Sequence, residues 1–291
     1  MRINKTYQVA GHRFRVSGER VCAAVSRIEG FKPFECTEGE PLFEFVEGMD
    51  VPEMKERQYT FTFEDVTGVF GRWEEGCFLQ LKPEAEEPFY LWTQNGMSWV
   101  MLAGNWSPRL YRFALWVGFG LMILPSDTIG IHSSCIVYRN KAYLFLGESG
   151  TGKSTHTRLW REHIEGAFLL NDDSPMIRVE NGKVWAYGSP WSGKTPCYKN
   201  ERYELAGCVR LSQAPYNRIK KLSVLQAYGA IHPSCPPEFA YDAVLYDRVS
   251  GFISKLLSAV PFYQLACLPD AEAARLSCST LLGIADEDSC Q

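Results

Sequence analysis

Apolar residues recur along this chain with two different periods. Tyr59, Phe61 and Phe63 alternate with Thr60 and Thr62, the two-residue period of a half-buried strand. Phe78-Leu79-Gln80-Leu81 predicts another short strand after the turn at Glu75-Gly76. Tyr90 to Gln94 and Ser98 to Leu102 flank Asn95-Gly96, the dipeptide best suited to a two-residue hairpin turn. Lys82 to Pro88, rich in Glu and Pro, predicts a surface loop. At Ser107-Pro108 the pattern changes. Ser as N-cap and Pro at the first helical position open a helix, which the apolar run carries to Leu124 and Pro125 stops. Being apolar nearly all round, this helix should be buried between two layers. Gly118 and Gly120 cost it about 1 kcal/mol each and are places where another backbone can come close.

Further on, Ile131 to Val137 and Lys141 to Leu146 predict a hairpin turning at Arg139-Asn140. A helix is predicted from Ser154 to Ile164 and a buried strand over Ala167 to Asn171, ending in Asp172-Asp173. That spacing suits a minimal right-handed crossover. Met176 to Val179 and Lys183 to Tyr187 form a second hairpin signal on Asn181-Gly182. Strands at Ala206 to Leu211, Arg218 to Leu222 and Phe262 to Leu268 follow, with helices near Tyr241 to Leu257 and Ala271 to Leu282. The pattern divides the chain into a smaller β-rich N-terminal domain, 1–106, and an α/β domain, 107–291.

Composition narrows the partners. The net charge of −4 comes with no basic run, so neither nucleic acid nor an anionic membrane is expected. The most apolar stretch, Phe113 to Leu124, is twelve residues against about twenty for a membrane span. Ten cysteines contain no Cys-x-x-Cys pair, which suits reduced thiols. With no apolar run behind the N-terminus, a cytoplasmic location is expected.

The chemistry is concentrated at Gly147-Glu148-Ser149-Gly150-Thr151-Gly152-Lys153-Ser154, a complete Gly-x4-Gly-Lys-Ser phosphate loop. Its glycines let backbone N–H groups curl around a phosphate. The strand before it and the helix after it deliver a helix N-terminus to the anion. Gly147, Ser149, Gly150, Thr151, Gly152, Lys153, Ser154 and Thr155 are the expected ATP-binding residues. The Ser154 hydroxyl is placed for Mg²⁺. Asp172 and Asp173 end the next strand, and neighbours in an extended chain point to opposite faces. One carboxylate can hold the metal while the other faces an incoming hydroxyl, as phosphoryl transfer requires. His132 falls across the hairpin from about residue 148, beside the loop, and is a third catalytic candidate with Lys153. Gly188 to Lys194 is a candidate second anion-binding turn, with Lys194 on phosphate. Tyr198, Lys199 and Arg210 are further candidates for substrate contact.

Taken together, His132-Ser133-Ser134, the hairpin, Gly147 to Ser154 and Asn171-Asp172-Asp173 resemble the catalytic domain of HPr kinase/phosphorylase, whose fold is shared by phosphoenolpyruvate carboxykinase. The likeness is good over roughly 125–195 and weakens toward 285. It implies a P-loop α/β domain of that fold, ATP and Mg²⁺ as cofactors, and an active site containing His132, Lys153, Ser154, Asp172 and Asp173. Gly188 to Gly193 resembles a divergent branch of the family, some of whose members act in peptide-modification pathways, including kinases of lasso-peptide precursors. The family's phosphorylase signature has no counterpart after the Asp pair, and the first half differs from the usual N-terminal domain. The expectation is a kinase acting on a hydroxyl of a peptide, protein or small molecule, with self-association open. A nucleotide-binding regulatory module without transfer chemistry and a carboxykinase-like enzyme are the alternatives.

Overall fold

The structure, a computed structural model, describes residues 3–37, 39–193 and 195–284. It is mixed α and β, with two large mixed sheets. The chain forms two compact units, Met1–Ser126 with Glu238–Tyr246, and Asp127–Pro237 with Asp247–Gln291.

The first unit holds β1 (Asn4–Val9), β2 (His12–Ser17), α1 (Glu19–Ser26), β3 (Glu35–Cys36), β4 (Phe43–Glu47), β5 (Glu56–Phe63), β6 (Val66–Trp73), β7 (Gly76–Pro83), β8 (Phe89–Thr93), β9 (Trp99–Gly104) and α2 (Pro108–Ile123). Its strands lie in the order β3-β1-β2-β4-β9-β8-β7-β6-β5. The hairpin at Asn95-Gly96 forms, with Gly96 at φ 77°. α2 is buried on most sides, but what its glycines admit is aromatic and aliphatic side chains rather than the second backbone expected. A Cβ on Gly118 would come within 2.8 Å of Phe45, and one on Gly120 within 3.2 Å of Phe239. Helix entry differs from expectation. The Ser107 hydroxyl caps nothing; instead the Asn105 side-chain oxygen accepts from the Ser107 N–H at 3.0 Å. β6 carries no strand signal because Gly68 and Gly71 interrupt it. Gly68 sits under the ring of its cross-strand partner Phe61, where a Cβ would be 2.2 Å away.

The second unit holds β10 (Thr128–Gly130), β11 (Ser133–Tyr138), β12 (Lys141–Leu146), α3 (Lys153–His163), β13 (Phe168–Asp173), β14 (Met176–Glu180), β15 (Lys183–Tyr187), β16 (Arg202–Gln213), β17 (Arg218–Lys221), α4 (Val224–Ile231), β18 (Phe262–Cys267) and α6 (Ala271–Leu282). Between α4 and β18, α5 (Ala243–Ala259) begins in residues of the first unit and continues here. β11 and β12 are antiparallel, joined through Arg139 and Asn140 at φ 48° and 60°, the backbone of a type I′ turn. β13 does not join β12. It pairs with the far side of β11, again antiparallel, so α3 carries the chain over one intervening strand. β16 pairs in parallel with β12 along its length. On its other edge, its first residues meet β15 and its last six meet β18. α3 and α6 cover one face, packing Leu159, Trp160, Ala274 and Cys278 against Ile136, Phe145, Val209, Leu211 and Leu265. The stripe His156, Thr157, Leu159, Trp160 is what makes α3 amphipathic. No described helix is long and apolar enough to cross a membrane.

Candidate active site

The Gly147–Ser154 segment leaves the end of β12 and opens α3. Gly147, Gly150 and Gly152 have φ of 152°, 82° and 103°, a region that costs glycine little and other residues strain. At Gly147 space is also needed, since a Cβ would lie 2.4 Å from Thr151 Oγ1. The Thr151 N–H and hydroxyl both donate to the Glu148 carbonyl, at 3.2 and 2.7 Å. Lys153 Nζ folds back to the Gly147 and Glu148 carbonyls at 2.8 and 3.2 Å. Partial burial pulls the Lys153 ammonium below its ordinary pKa, opposed by the carboxylates of Asp173 and Asp172. The first-turn amides of α3 have no intrahelical partner and are available to an anion.

The two aspartates take different surroundings, as strand alternation requires. Asp172 is buried and accepts from the Ser154 hydroxyl at Oδ1, 3.1 Å away. Its Oδ2 is buried and takes no hydrogen bond among the described residues. Asp173 is half-buried; its Oδ1 lies 3.8 Å from His132 Nε2 and its Oδ2 accepts from the Ser174 hydroxyl at 3.1 Å. Its φ of 128° is a strained backbone for a residue with a Cβ. Partial burial, then the Lys153 charge, hold the His132 imidazole below its usual pKa, while the two carboxylates oppose them. β11 brings His132 here: Ser133 pairs with Leu146 on one side and Asp173 on the other.

Asn171 supports this arrangement, a role that sequence reading missed. Its buried amide points into Gly188–Cys197, 3.1 Å from the Trp191 carbonyl and 3.3 Å from that of Ser189, and its Oδ1 accepts the Ser174 N–H at 2.9 Å. Ser192 bridges to Asp173 as an isolated strand pair, and the Gly193 N–H donates to the Asp172 carbonyl. The described part of the Gly188 turn is thus a buttress beneath the aspartates. An asparagine closing an apolar run, directly before two acids, was the available signal. Lys194, expected on phosphate, lies outside the described residues. Lys199 stacks its ammonium on the Phe168 ring, 4.2 Å from the centroid.

Beside the loop, a cleft of about 850 Å³ opens between Gly150–Gly152, Thr155 and Arg158 on one side and Leu211, Gln213 and Cys267–Pro269 on the other. Gln213 Nε2 donates to the Gly150 carbonyl at 3.2 Å. The size is that of a small-molecule site. His132, Lys153, Ser154, Asp172 and Asp173 therefore gather around one loop, whereas Lys199 packs on Phe168 at the other end of β13. Among the described residues no group of three or more His, Cys, Asp or Glu could hold a metal. Magnesium needs none, because one or two protein oxygens suffice when phosphate and water complete its shell. The unbonded Asp172 Oδ2 next to the Ser154 hydroxyl fits that requirement. No family model and no curated protein matches the chain.

Proposed function

We propose that the second unit is an ATP-dependent kinase of the HPr kinase/phosphorylase-like class, on the fold shared with phosphoenolpyruvate carboxykinase, transferring the γ-phosphoryl group to a hydroxyl of a peptide, protein or small molecule. The observation that carries this reading is the division of labour at the end of β13. Asp172 turns toward Ser154 while Asp173 turns toward His132. A module that only binds nucleotide has no use for the second carboxylate. The antiparallel β11–β12 entry to the loop supports the fold assignment.

In this reading the loop amides and Lys153 bind the phosphates, and the cleft lined by Gln213 and Leu268 takes the nucleoside. Ser154 and Asp172 would hold Mg²⁺, which supplies charge neutralisation on the β- and γ-phosphates. Asp173 orients the acceptor hydroxyl and takes its proton as the oxygen bonds to the γ-phosphorus. The bond from phosphorus to the β–γ bridging oxygen breaks, and ADP leaves. His132, its pKa lowered, stands uncharged at neutral pH and positions Asp173 or the acceptor through Nε2. Calorimetry with Mg-ATP tests the first step. Saturable binding is expected for the native chain, with at least a tenfold loss in Lys153→Ala, and equal affinity in the two refutes the nucleotide site. Labelled γ-phosphate offered with fractionated lysate then separates kinase from binding module, because only a kinase passes label to an acceptor.

A further inference from the structure

The end of β12 begins a row of side chains that runs across three more strands. Leu146 pairs with Arg210 of β16, Arg210 with Gln264 of β18, and Gln264 with Lys220 of β17. Register partners project from the same face, so Arg210, Gln264 and Lys220 stand side by side. This is the face opposite α3, since the alternate residues Val209, Leu211 and Leu265 pack with Leu159 and Trp160. Gln226, Gly229 and Ala230 of α4 cover the row and close a pocket of about 280 Å³.

The pocket offers positive charge and donors. Arg210 Nη1 donates to the Ala230 carbonyl at 3.1 Å, which aims the guanidinium. Nη2 lies 3.6 Å from the Glu148 carboxylate of the phosphate loop, which is 80% exposed against 23% for Arg210. Solvent therefore screens the acid more than the base. Gln226 accepts the Ser223 N–H with Oε1, which leaves its amide nitrogen to donate. Among the described residues the lining contains no carboxylate.

We propose that this pocket binds an anionic group, a carboxylate or phosphate monoester, carried by the phosphate acceptor. The inference rests on the kinase reading for the word acceptor. The volume falls just under the small-molecule range of about 300 Å³ upward, enough for one acidic group on a short stem. The approach is also distinct from that of the nucleoside. The large cleft uses Leu211 and Gln213 on the α3 side, whereas Arg210 points to the other side and touches the loop from there. Nucleoside and acceptor thus reach the phosphate loop from opposite faces of the sheet, with Arg210 linking the acceptor's charge to Glu148.

Calorimetric titration of the full chain with N-acetylglutamate and, separately, with O-phosphoserine tests this, with and without Mg-ADP. Saturable binding of one probe is expected, weakened about tenfold or more by Arg210→Gln and by Lys220→Gln, and kept by Lys220→Arg. The probe that binds distinguishes carboxylate from phosphate monoester. Lys220 is exposed, so its variants test the pocket even where Arg210→Gln disturbs α4. Failure of both probes to saturate, or equal affinity in native and Lys220→Gln chains, overturns the proposal. Mg-ADP affinity in the same titrations keeps the two ideas apart. If the probe binds and the nucleotide does not, the kinase reading fails and the anion pocket stands.

Discussion

His156 ties the stability of the phosphate-loop helix to pH. It sits on the buried stripe of α3, its N–H donates to the Gly152 carbonyl at 2.8 Å, and its ring contacts Phe145. Nε2 lies 3.0 Å from Ser277 Oγ of α6, which also accepts from Trp160 Nε1 at 2.9 Å and donates to the Ala274 carbonyl at 3.0 Å. With its one proton given to Ala274, the Ser277 oxygen has two lone pairs left, one for Trp160 and one for a neutral His156 protonated at Nε2. A second proton on this ring would be buried at Nδ1. Burial accordingly takes the His156 pKa from 6.5 down to about 4, with only Asp270 opposing. Above pH 6.5 both folded and unfolded imidazoles are neutral and nothing is lost. As pH falls, the unfolded ring takes a proton that the folded ring refuses, so stability drops until the folded value is passed. The penalty is about 2 kcal/mol at pH 5 and about 3 kcal/mol below pH 4. Urea unfolding of the full chain at pH 7 and pH 5, followed by Trp fluorescence, measures it. Comparison with His156→Gln is essential, because buried Glu238 in the first unit, its carboxyl pushed up to about 7, acts with the opposite sign and loses stability as pH rises. The native chain should lose about 2 kcal/mol more than His156→Gln between the two pH values. An identical loss in both would refute the assignment of a neutral, buried His156.

Other substitutions probe the site and the framework. Asp172→Asn should chiefly weaken Mg²⁺-dependent nucleotide binding, whereas Asp173→Asn should leave nucleotide affinity near native and lower transfer by about 10²–10⁴; parallel calorimetry and turnover measurements compare them. In Gly188→Ala the new Cβ would lie 1.9 Å from the Lys199 carbonyl oxygen, so a loss of about 1–3 kcal/mol is expected in thermal unfolding. Asp242 accepts from Arg72 and Gln58 and caps α5 through the Val244 and Leu245 N–H groups, both at 3.1 Å. Asp242→Ala strands a partly buried guanidinium and should cost about 3–5 kcal/mol in urea denaturation.

Local features of this protein were determined by sequence alone. The hairpin turns at Asn95-Gly96, Arg139-Asn140 and Asn181-Gly182, the glycine curl of the phosphate loop and the apolar helix α2 each answer to the conformational limits of a few neighbouring residues. For the same reason His132 was correctly placed beside the loop, since a hairpin register is fixed by its turn. The opposite surroundings of Asp172 and Asp173 followed from strand alternation. What depended on residues far apart in the chain was not legible. β6 is a strand because Phe61 covers Gly68, and strand propensity at a glycine cannot reveal that. β4 is held between β2, where Phe43 pairs with Phe14, and β9, where Glu44 pairs with Trp99, partners that lie outside any local stretch of sequence. Asn171 is an anchor only because Ser189 and Trp191 lie beneath it, since a buried amide has to find partners wherever the tertiary structure supplies them. Arg210, Gln264 and Lys220 are unremarkable along the sequence. Only the side-by-side pairing of β16, β18 and β17 sets their donors into one pocket, because strand order is decided by the packing of whole elements rather than by local preference.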